Sequence, residues 1–395
     1  MVQSDLTKPV PLAQGCGARQ PTHWMGTMSA NTPTADTSAV PRVRGPKERA
    51  AALRQGRLDW STWPKYEAAA VGFREYWYPL AWAGQIGRRP VRATLLDEPL
   101  VCSRSVDGAV RVTGEASGRS FLAEERIGLV WVYVGEADDP QPVEVDIPAE
   151  LLASNATIGG RRTVRHGNWR FGAENGIDEG HAKFLHRNSL WTLKRQMPTW
   201  VRHHMEPTEG GWITRKADAV HFDTEFPGLG RWPTRNRWWR STKRGAARVS
   251  IKLPCTLRVE YATWTHFEWW VPVTEDRHVY LQLAVQHGSG LKRLRFRSYY
   301  WAWVRWVFHG MFNEEDALMV DVMDAPPERL YRPDVAITEW RKLCTTSARG
   351  EPQAPAAPQR PGSVPATSNG GRDITALARR SRLPFSHRLR KLVTD

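Results

Sequence analysis

Short runs of alternating or continuous apolar residues between positions 91 and 135 predict an antiparallel β frame. The runs cover residues 91–95, 99–104, 109–112 and 128–135, and they are rich in β-branched and aromatic residues, which strands favour. Asp107 and Gly108, between two of these runs, form a dipeptide typical of a tight hairpin turn. Ordered structure is expected to begin near Phe73, at the aromatic segment 73–82.

The second half of the chain predicts a larger sheet followed by a long helix. Residues 161–165 predict one strand, and residues 247–253, 262–273 and 277–286 predict three more. Within the 262–273 strand, residues 263–270 have a half-alternating aromatic pattern, as expected of a sheet that faces a cavity. Residues 291–323 predict one long helix or a pair of helices. The pattern therefore predicts an α+β fold.

Composition divides the chain into four sections. Residues 1–65 and 346–395 are dominated by Pro, Ala, Ser, Thr and Gly or by basic residues, and both are expected to be disordered. Residues 66–140 are expected to form a β domain. Residues 141–345 are expected to form a second domain, which contains the larger sheet and the long helix.

The net charge of +15 raises the question of nucleic-acid binding. Nine Lys or Arg against three Asp or Glu lie after residue 345, so part of this charge belongs to the tail. The remaining charge is spread along the chain, and an Arg-rich surface needs no functional reason. Nucleic acid is therefore not a predicted partner.

The cysteines indicate a reducing compartment. Cys16, Cys102, Cys255 and Cys344 lie far apart and form neither a disulfide framework nor a structural zinc motif. No apolar run is long enough to span a bilayer, and the N-terminus lacks the apolar core of an export signal. We therefore expect a cytoplasmic protein.

The segment from Asn175 to His186 carries the clearest chemistry, with the pattern N-x-x-D-x-x-H-x-x-x-x-H. Two imidazoles and one carboxylate on one face of divalent iron leave the opposite positions open for dioxygen and water. On a helix, Asp178 and His181 would be neighbours, because positions i and i+3 lie side by side. His181 and His186 are about 140° apart on a regular helix, so the helix is either distorted or ends between them. Two surface histidines on an ordinary helix remain the alternative.

This pattern, together with Asn168, Arg170 and Glu174 before it and Trp191 after it, resembles the iron segment of Rieske-type ring-hydroxylating oxygenases, in their alpha subunits. The resemblance implies that His181 and His186 bind mononuclear Fe(II). It implies that Asp178 links the iron to an electron-donating [2Fe–2S] cluster, and that Asn175 lies close to the iron. It also implies a helix-grip-like catalytic domain, in which a long C-terminal helix packs across an antiparallel sheet.

The third iron ligand is expected from the late helix, where the resemblance extends to a run of the type F-N-x-x-D-x-x-x-V. Here that run begins at Phe312 and places the carboxylate at Asp316. Other acidic residues nearby could compete with it, and such charge runs are usually a solvated helix face. The competitors are Glu314, Glu315, Asp321 and Asp324.

The chain departs from the family pattern where the cluster ligands should be. A Rieske cluster requires two Cys and two His on two loops, but residues 113–123 contain neither residue type. Residues 66–140 therefore resemble a truncated all-β remnant of a Rieske domain. The cluster is expected only on a partner protein.

The resemblance implies an oxygenase component that hydroxylates or dealkylates a bulky apolar, aromatic substrate with dioxygen. Its electrons would come from a separate Rieske or ferredoxin protein and a reductase, and the assembly would be a homo- or heterotrimer. The alternative is a non-catalytic subunit or binding protein that keeps the fold and has lost electron transfer. The tryptophan content, 20 residues, fits either an aromatic cavity or a bulky core.

Overall fold

A seven-stranded antiparallel sheet forms the centre of the structure, which is a computed structural model. The structure describes residues 63–137, 139–186, 189–191, 197–223, 248–322, 334–355 and 372–375. Each neighbouring pair of strands in this sheet is antiparallel. In spatial order the strands are β10 (His204–Thr208), β11 (Trp212–Lys216), β13 (Arg248–Lys252), β14 (Thr256–Glu260), β15 (Thr265–Thr274), β16 (Arg277–His287) and β8 (Ala156–His166).

A continuous helical segment packs against this sheet, as predicted. It begins as helix α6 (Gly290–Tyr299), passes through a π-helical stretch (Tyr300–Phe312) and ends as helix α7 (Asn313–Val322). Gly159 of β8 leaves the space that the ring of Tyr300 fills, because a Cβ there would overlap the ring. π turns inside helices are frequent at functional sites.

Two smaller sheets are built from the N-terminal strands. One contains β1 (Trp77–Trp82), β7 (Leu129–Tyr133) and β6 (Ala123–Arg126), in that order. The other contains β17 (Arg372–Asp373), β2 (Val91–Leu95), β3 (Glu98–Arg104), β4 (Val110–Gly114) and β5 (Ser120–Phe121). The rings of Trp131 and Trp269 meet edge to face at 6.1 Å, so the first small sheet shares a core with the large one.

The place where cluster-bearing loops were expected is a closed hairpin between β4 and β5. The amide of Gly114 donates to the carbonyl of Arg119 at 2.8 Å, and the amide of Gly118 donates to the carbonyl of Gly114 at 2.9 Å. Gly118 has φ +65°, a conformation that glycine adopts without steric cost. Residues 113–121 therefore complete an ordinary turn.

The remaining described elements surround the large sheet. They are the helices α1 (Pro64–Ala68), α2 (Val143–Asp146), α3 (Ala149–Leu152), α4 (Trp169–Ile177), α5 (Glu179–Leu185) and α8 (Val335–Ser347), and the strand pair β9 (Met197–Val201) and β12 (Ala219–Asp223). Among the residues described, no helix combines the length and the apolar character that crossing a membrane requires.

The α+β fold class is confirmed, with two differences in detail. The sequence predicted three strands between residues 247 and 286, and the structure has four, because β14 (Thr256–Glu260) was missed. That run is short and follows Pro254, which interrupts the apolar pattern. Within the tail predicted to be disordered, Arg372–Asp373 pairs in parallel with β2, and Ile374 is buried. Residues 1–62 of the predicted N-terminal extension lie outside the described residues.

Candidate metal centre

Asp178 lies at the junction of two helices and fixes the start of the second one. It is the C-cap of α4 and the N-cap of α5. Its carboxylate accepts hydrogen bonds from the backbone amides of Gly180 at 2.8 Å and His181 at 3.0 Å. Asp is among the preferred N-cap residues because its oxygens satisfy amides that the helix leaves open. The first turn of α5 therefore sets the position of His181.

The spacing of the two histidines is explained by the end of helix α5. The helix ends at Leu185, and His186 is the C-cap residue with φ −93° and ψ 9°. The helix thus ends between the two histidines, as one of the two predicted alternatives required. The rings of His181 and His186 come within 5.5 Å of each other between centroids.

Asp316 completes a cluster of three possible metal ligands. Its Oδ1 lies 3.5 Å from Nε2 of His181 and 3.1 Å from Nε2 of His186. One donor atom from each residue lies within 4.8 Å of the other two. Two metal bonds of roughly 2.1 Å at a right angle would separate their donor atoms by about 3 Å. Two imidazoles and a carboxylate at this spacing therefore fit one divalent transition-metal ion such as Fe(II).

Asn175 is the fifth predicted site residue that the structure brings to this cluster. Its Nδ2 donates to Oδ1 of Asp316 at 3.0 Å. Helix α4, which carries Asn175, reaches this position because Gly172 and Gly176 allow close approach to the ring of Trp270. A Cβ at either glycine would overlap that ring.

An oxygen atom contacts Nδ1 of each imidazole, the ring nitrogen that faces away from Asp316. The backbone carbonyl of Asp178 lies 2.8 Å from Nδ1 of His181, so this contact comes from the main chain and not from the carboxylate. Oε2 of Glu315 lies 2.7 Å from Nδ1 of His186. Such contacts fix the ring orientation of a ligand histidine. The sequence pattern predicts Glu315 only as a competitor of Asp316; the signal for its role is its position one residue before the predicted ligand.

The other competing carboxylates are engaged elsewhere. Glu314 forms an ion pair with Arg165 at 2.7 Å and a longer one with Arg161 at 3.2 Å. Asp321 accepts from the backbone amide of His166 at 3.1 Å. Asp324 lies outside the described residues. Asp316 is therefore the carboxylate that the described part of the chain offers to both histidines.

The titratable groups of the cluster shift one another's pKa values. Burial lowers the pKa of His186, but the carboxylates of Asp316 and Glu315 outweigh it and raise that pKa to about 9. Burial also lowers the pKa of His181 more than Asp316 raises it, which favours its neutral form. Burial raises the pKa of Asp316, yet the two histidines hold it below its usual value. The carboxylate thus attracts a positive charge between itself and His186, where a cation would fit.

A cavity opens beside the cluster and is apolar along much of its wall. Phe312 stacks on the ring of His186 at 3.8 Å between centroids. The other apolar lining residues include Trp191, Val249, Leu257, Val259, Trp270 and Phe308. Such a wall suits an organic molecule with rings.

The aromatic pattern of β15 is divided between two sides of the sheet. His266, Glu268 and Trp270 line the cavity. Trp269 packs on Trp131 in the core on the other side. The prediction that this strand faces a cavity therefore holds, but several of its aromatic residues belong to the core.

Comparisons with known proteins agree on one family. A family model described as homotrimeric ring hydroxylase matches residues 133–218 and 234–351. The terminal oxygenase component of carbazole 1,9a-dioxygenase from a Sphingomonas species is 28% identical over 371 residues, which cover 74% of this chain and 96% of that protein. The same component from Metapseudomonas resinovorans is 24% identical over 365 residues, with coverage of 73% and 94%. The first alignment spans 371 positions, and 74% of this chain is fewer residues than that. Part of the relative's sequence therefore has no counterpart in this chain.

Solved structures show the same fold. The terminal oxygenase of carbazole 1,9a-dioxygenase from Novosphingobium sp. KA1 superimposes with a TM-score of 0.63 at 24% identity, covering 76% of this chain and 99% of that one. The oxygenase in a reduced complex with ferredoxin superimposes with a TM-score of 0.63 at 21% identity, covering 76% and 95%.

These matches define an oxidoreductase of the terminal oxygenase class. The chain belongs to the homotrimeric ring hydroxylase family, and the resemblance to alpha subunits of Rieske-type oxygenases is confirmed.

Proposed function

We propose that this chain is the terminal oxygenase component of an aromatic ring-hydroxylating system that takes its electrons from a separate iron–sulfur protein. The observation that carries the proposal is the cluster of His181, His186 and Asp316 at the wall of a largely apolar cavity. Mononuclear Fe(II) bound there would supply dioxygen activation beside the substrate.

The residues around the cluster have separate tasks in this proposal. The carbonyl of Asp178 and the carboxylate of Glu315 hold the two imidazoles, and Asn175 holds Asp316 through its Oδ1. The apolar wall excludes water and positions the substrate rings. Because fixed ligand orientation raises metal affinity, these neighbours contribute to the site without touching the substrate.

The electron source follows from what the hairpin between β4 and β5 contains. Residues 113–123 have no Cys or His, and the turn closes on itself. A cluster therefore has no ligands there. Solved structures of relatives describe an oxygenase in complex with ferredoxin, which supports a donor of that kind for this chain.

The surface near Asp178 is the expected point of electron entry. The side chain of Asp178 is 31% exposed and that of His181 is 18% exposed, so a docked donor could approach the metal through few intervening atoms. The positive charge of the chain, +15, suits an acidic partner. A trimer is expected from the family, with the donor as a separate chain.

The substrate is expected to be a bulky aromatic molecule. The relatives are named for carbazole, a tricyclic aromatic compound, and the aromatic and aliphatic cavity residues would accept rings of that kind. Hydroxylation or dealkylation would then follow from the group that lies closest to the metal.

Iron and sulfide analysis of anaerobically purified protein is the first test. The expected result is about one iron per chain, no acid-labile sulfide and dioxygen consumption when a ferredoxin, its reductase and an aromatic substrate are added. The His181→Ala variant should lose the iron and the consumption together. Absence of iron after reconstitution would instead favour the non-catalytic subunit, and sulfide would contradict the assignment of the hairpin.

A further inference from the structure

The cavity wall formed by strands β14, β15 and β16 is divided into an apolar and a polar part. Strand β14 contributes Leu257 and Val259. Strands β15 and β16 contribute His266, Glu268 and Tyr280. A cavity that bound only hydrocarbon rings would have no use for the second group, because such pockets carry few polar groups and place them for orientation.

Glu268 is at the centre of the polar part. Its Oε1 lies 2.7 Å from Nε2 of His266 and accepts from Nδ2 of Asn313 at 3.2 Å. Nδ2 of Asn313 also lies 3.0 Å from the hydroxyl of Tyr280. Glu268 is 8% exposed and the other three residues are more deeply buried. These contacts fix the carboxylate in one orientation.

The acceptor capacity of this cluster exceeds the number of donors around it. The contacts from His266 and Asn313 both end on Oε1 of Glu268, and the Tyr280 hydroxyl adds a third contact to this carboxylate, whereas a carboxylate has about four acceptor positions when ionised. Glu268 lines the cavity, whereas Asn313 does not, so a further hydrogen bond from a molecule in the cavity can reach the carboxylate. Buried polar groups are nearly always hydrogen-bonded. The cluster therefore favours a molecule in the cavity that brings a donor.

The cluster lies at the metal end of the cavity. Asn313 and Asp316 are three residues apart on helix α7, so their side chains are neighbours. The carboxylate of Asp316 is also close enough to raise the pKa of the Tyr280 hydroxyl, although burial is the largest cause of that shift and Glu268 the second. A group bound by Glu268 would thus lie near the candidate metal ligands.

We propose that Glu268, held by His266 and Asn313, is the specificity-determining residue of this cavity. It accepts a hydrogen bond from an N–H or O–H group of the substrate. Resting on the proposed oxygenase function, this assigns the substrate to aromatic ring systems that carry such a donor, for example N–H heteroaromatics or phenols. A ring of the same shape without a donor leaves the carboxylate facing an apolar surface, which is unfavourable.

Two molecules of nearly the same shape test this assignment. Carbazole has a ring N–H where dibenzofuran has an oxygen. Binding of each is measured by equilibrium dialysis under anaerobic conditions, with iron-loaded protein and without a donor protein. The wild type should bind carbazole about tenfold or more tightly than dibenzofuran, since a buried acceptor without its donor costs roughly that factor.

Variants connect the preference to the residue. Glu268→Gln keeps the size of the side chain and should reduce the preference severalfold, and Glu268→Ala should abolish it. Glu260→Gln is the matched control, because Glu260 is on the neighbouring strand β14 and pairs with Arg248 and Arg258 away from the cavity lining. Iron content and melting temperature of each variant establish that the site and the fold remain.

Three results would overturn the assignment: equal binding of the two molecules by the wild type, a full preference retained in both Glu268 variants, or no binding of either molecule to iron-loaded protein. The measurement requires no turnover. A protein that selects carbazole but consumes no dioxygen would contradict the proposed function and leave the specificity of Glu268 supported.

Discussion

The candidate metal centre and the hairpin between β4 and β5 differ in how their polar groups are arranged. At the candidate metal centre, Oδ1 of Asp316 faces the Nε2 atoms of His186 and His181 at 3.1 and 3.5 Å, which favours a positive charge among them. In the hairpin, backbone amides and carbonyls of residues 114–119 bond to each other. The polar groups of the first region converge on one point, where a proton or a metal ion can lie, whereas those of the second pair with one another.

This difference suggests how the work of an oxygenase is divided in this protein. The cavity, the candidate ligands and the residues that orient them are all present on one chain. Residues 113–121 form a short turn whose backbone groups are hydrogen-bonded. This arrangement agrees with the proposal that electrons come from a separate protein.

The largest expected effect comes from removing a candidate ligand. His186→Ala or His181→Ala should lower the iron content from about one per chain to near zero, because two remaining donors hold the ion weakly. Dioxygen consumption with a ferredoxin donor should be lost in parallel. Iron is measured by mass spectrometry on anaerobically purified protein.

An exposed histidine provides the control for this prediction. His204 is on strand β10 with its side chain 50% exposed, away from the cluster. His204→Ala should keep the wild-type iron content. Retention of iron in either cluster variant would remove that histidine from the proposed ligand set and weaken the contrast between the two regions.

The next effect concerns the carboxylates beside the ligands. Glu315→Gln should weaken iron affinity about 10- to 100-fold, because it disturbs the contact that orients His186. Glu314→Gln, one residue away, should leave iron affinity unchanged and lower stability instead, because Glu314 pairs with Arg165 and Arg161. Competition with a metal-binding dye measures the affinity, and urea unfolding measures the stability.

A matched surface change separates these effects from a general loss of charge. Glu339 on helix α8 is 39% exposed and pairs only weakly with Lys342 at 3.6 Å. Glu339→Gln should therefore change neither quantity. Equal loss of iron affinity in the Glu314 and Glu315 variants would show that charge near the site matters more than the contact to His186.

The sequence predicts the residues of the candidate site, but it does not predict the contacts that support them. The motif gave His181, His186, Asp178 and Asn175, and the late helix gave Asp316, which the structure brings together. The role of Glu315 could not be deduced, since nothing in a run of acidic residues shows which one faces a histidine 129 positions earlier. Long-range pairing of this kind depends on how the helix rotates against its neighbours.

Acid should lower the free energy of unfolding through a buried histidine that lines the cavity. His278 is buried, with Nδ1 2.9 Å from the carbonyl of Gly167. Burial lowers its pKa to about 4; the contact with the Gly167 carbonyl opposes this shift, and Arg165 and His166 add to it in smaller amounts. Between the unfolded pKa of about 6.5 and this value, the unfolded chain takes up a proton that the folded chain does not, so stability decreases as the pH falls.

Replacement of this histidine should remove part of the pH dependence. Between pH 7 and pH 5 the expected loss of unfolding free energy in the wild type is about 2 kcal/mol from this group. His278→Asn keeps a donor toward Gly167 and should flatten the dependence by that amount in urea unfolding at several pH values. His204→Asn is the control, and a wild-type slope in the His278 variant would contradict the assignment. The hairpin contains no histidine, so it adds no histidine contribution to this pH dependence.

The fold itself was predictable where strands were long and separated by clear turns. Residues 91–95 and 277–286 match β2 and β16 almost residue for residue. Strand β14 was missed because five residues after a proline give little periodicity, and β17 was missed because its two residues gain order only by pairing with β2. The division of β15 between cavity and core, with Trp269 on the core side, depends on strand register, which composition does not reveal.

The smallest expected effect tests whether the hairpin is merely a turn. Gly118→Ala places a side chain on a residue with φ +65°, where open space surrounds the new Cβ and only backbone strain opposes it. The free energy of unfolding should fall by about 1 kcal/mol, and iron content should stay at the wild-type level. Gly87→Ala is the matched control, because its Cβ also meets open space and its φ lies outside the left-handed region, so no loss of stability is expected there.

Urea unfolding and metal analysis of both variants measure the two quantities. Loss of iron in Gly118→Ala would show that the hairpin supports the metal centre, and the two regions would then not be independent.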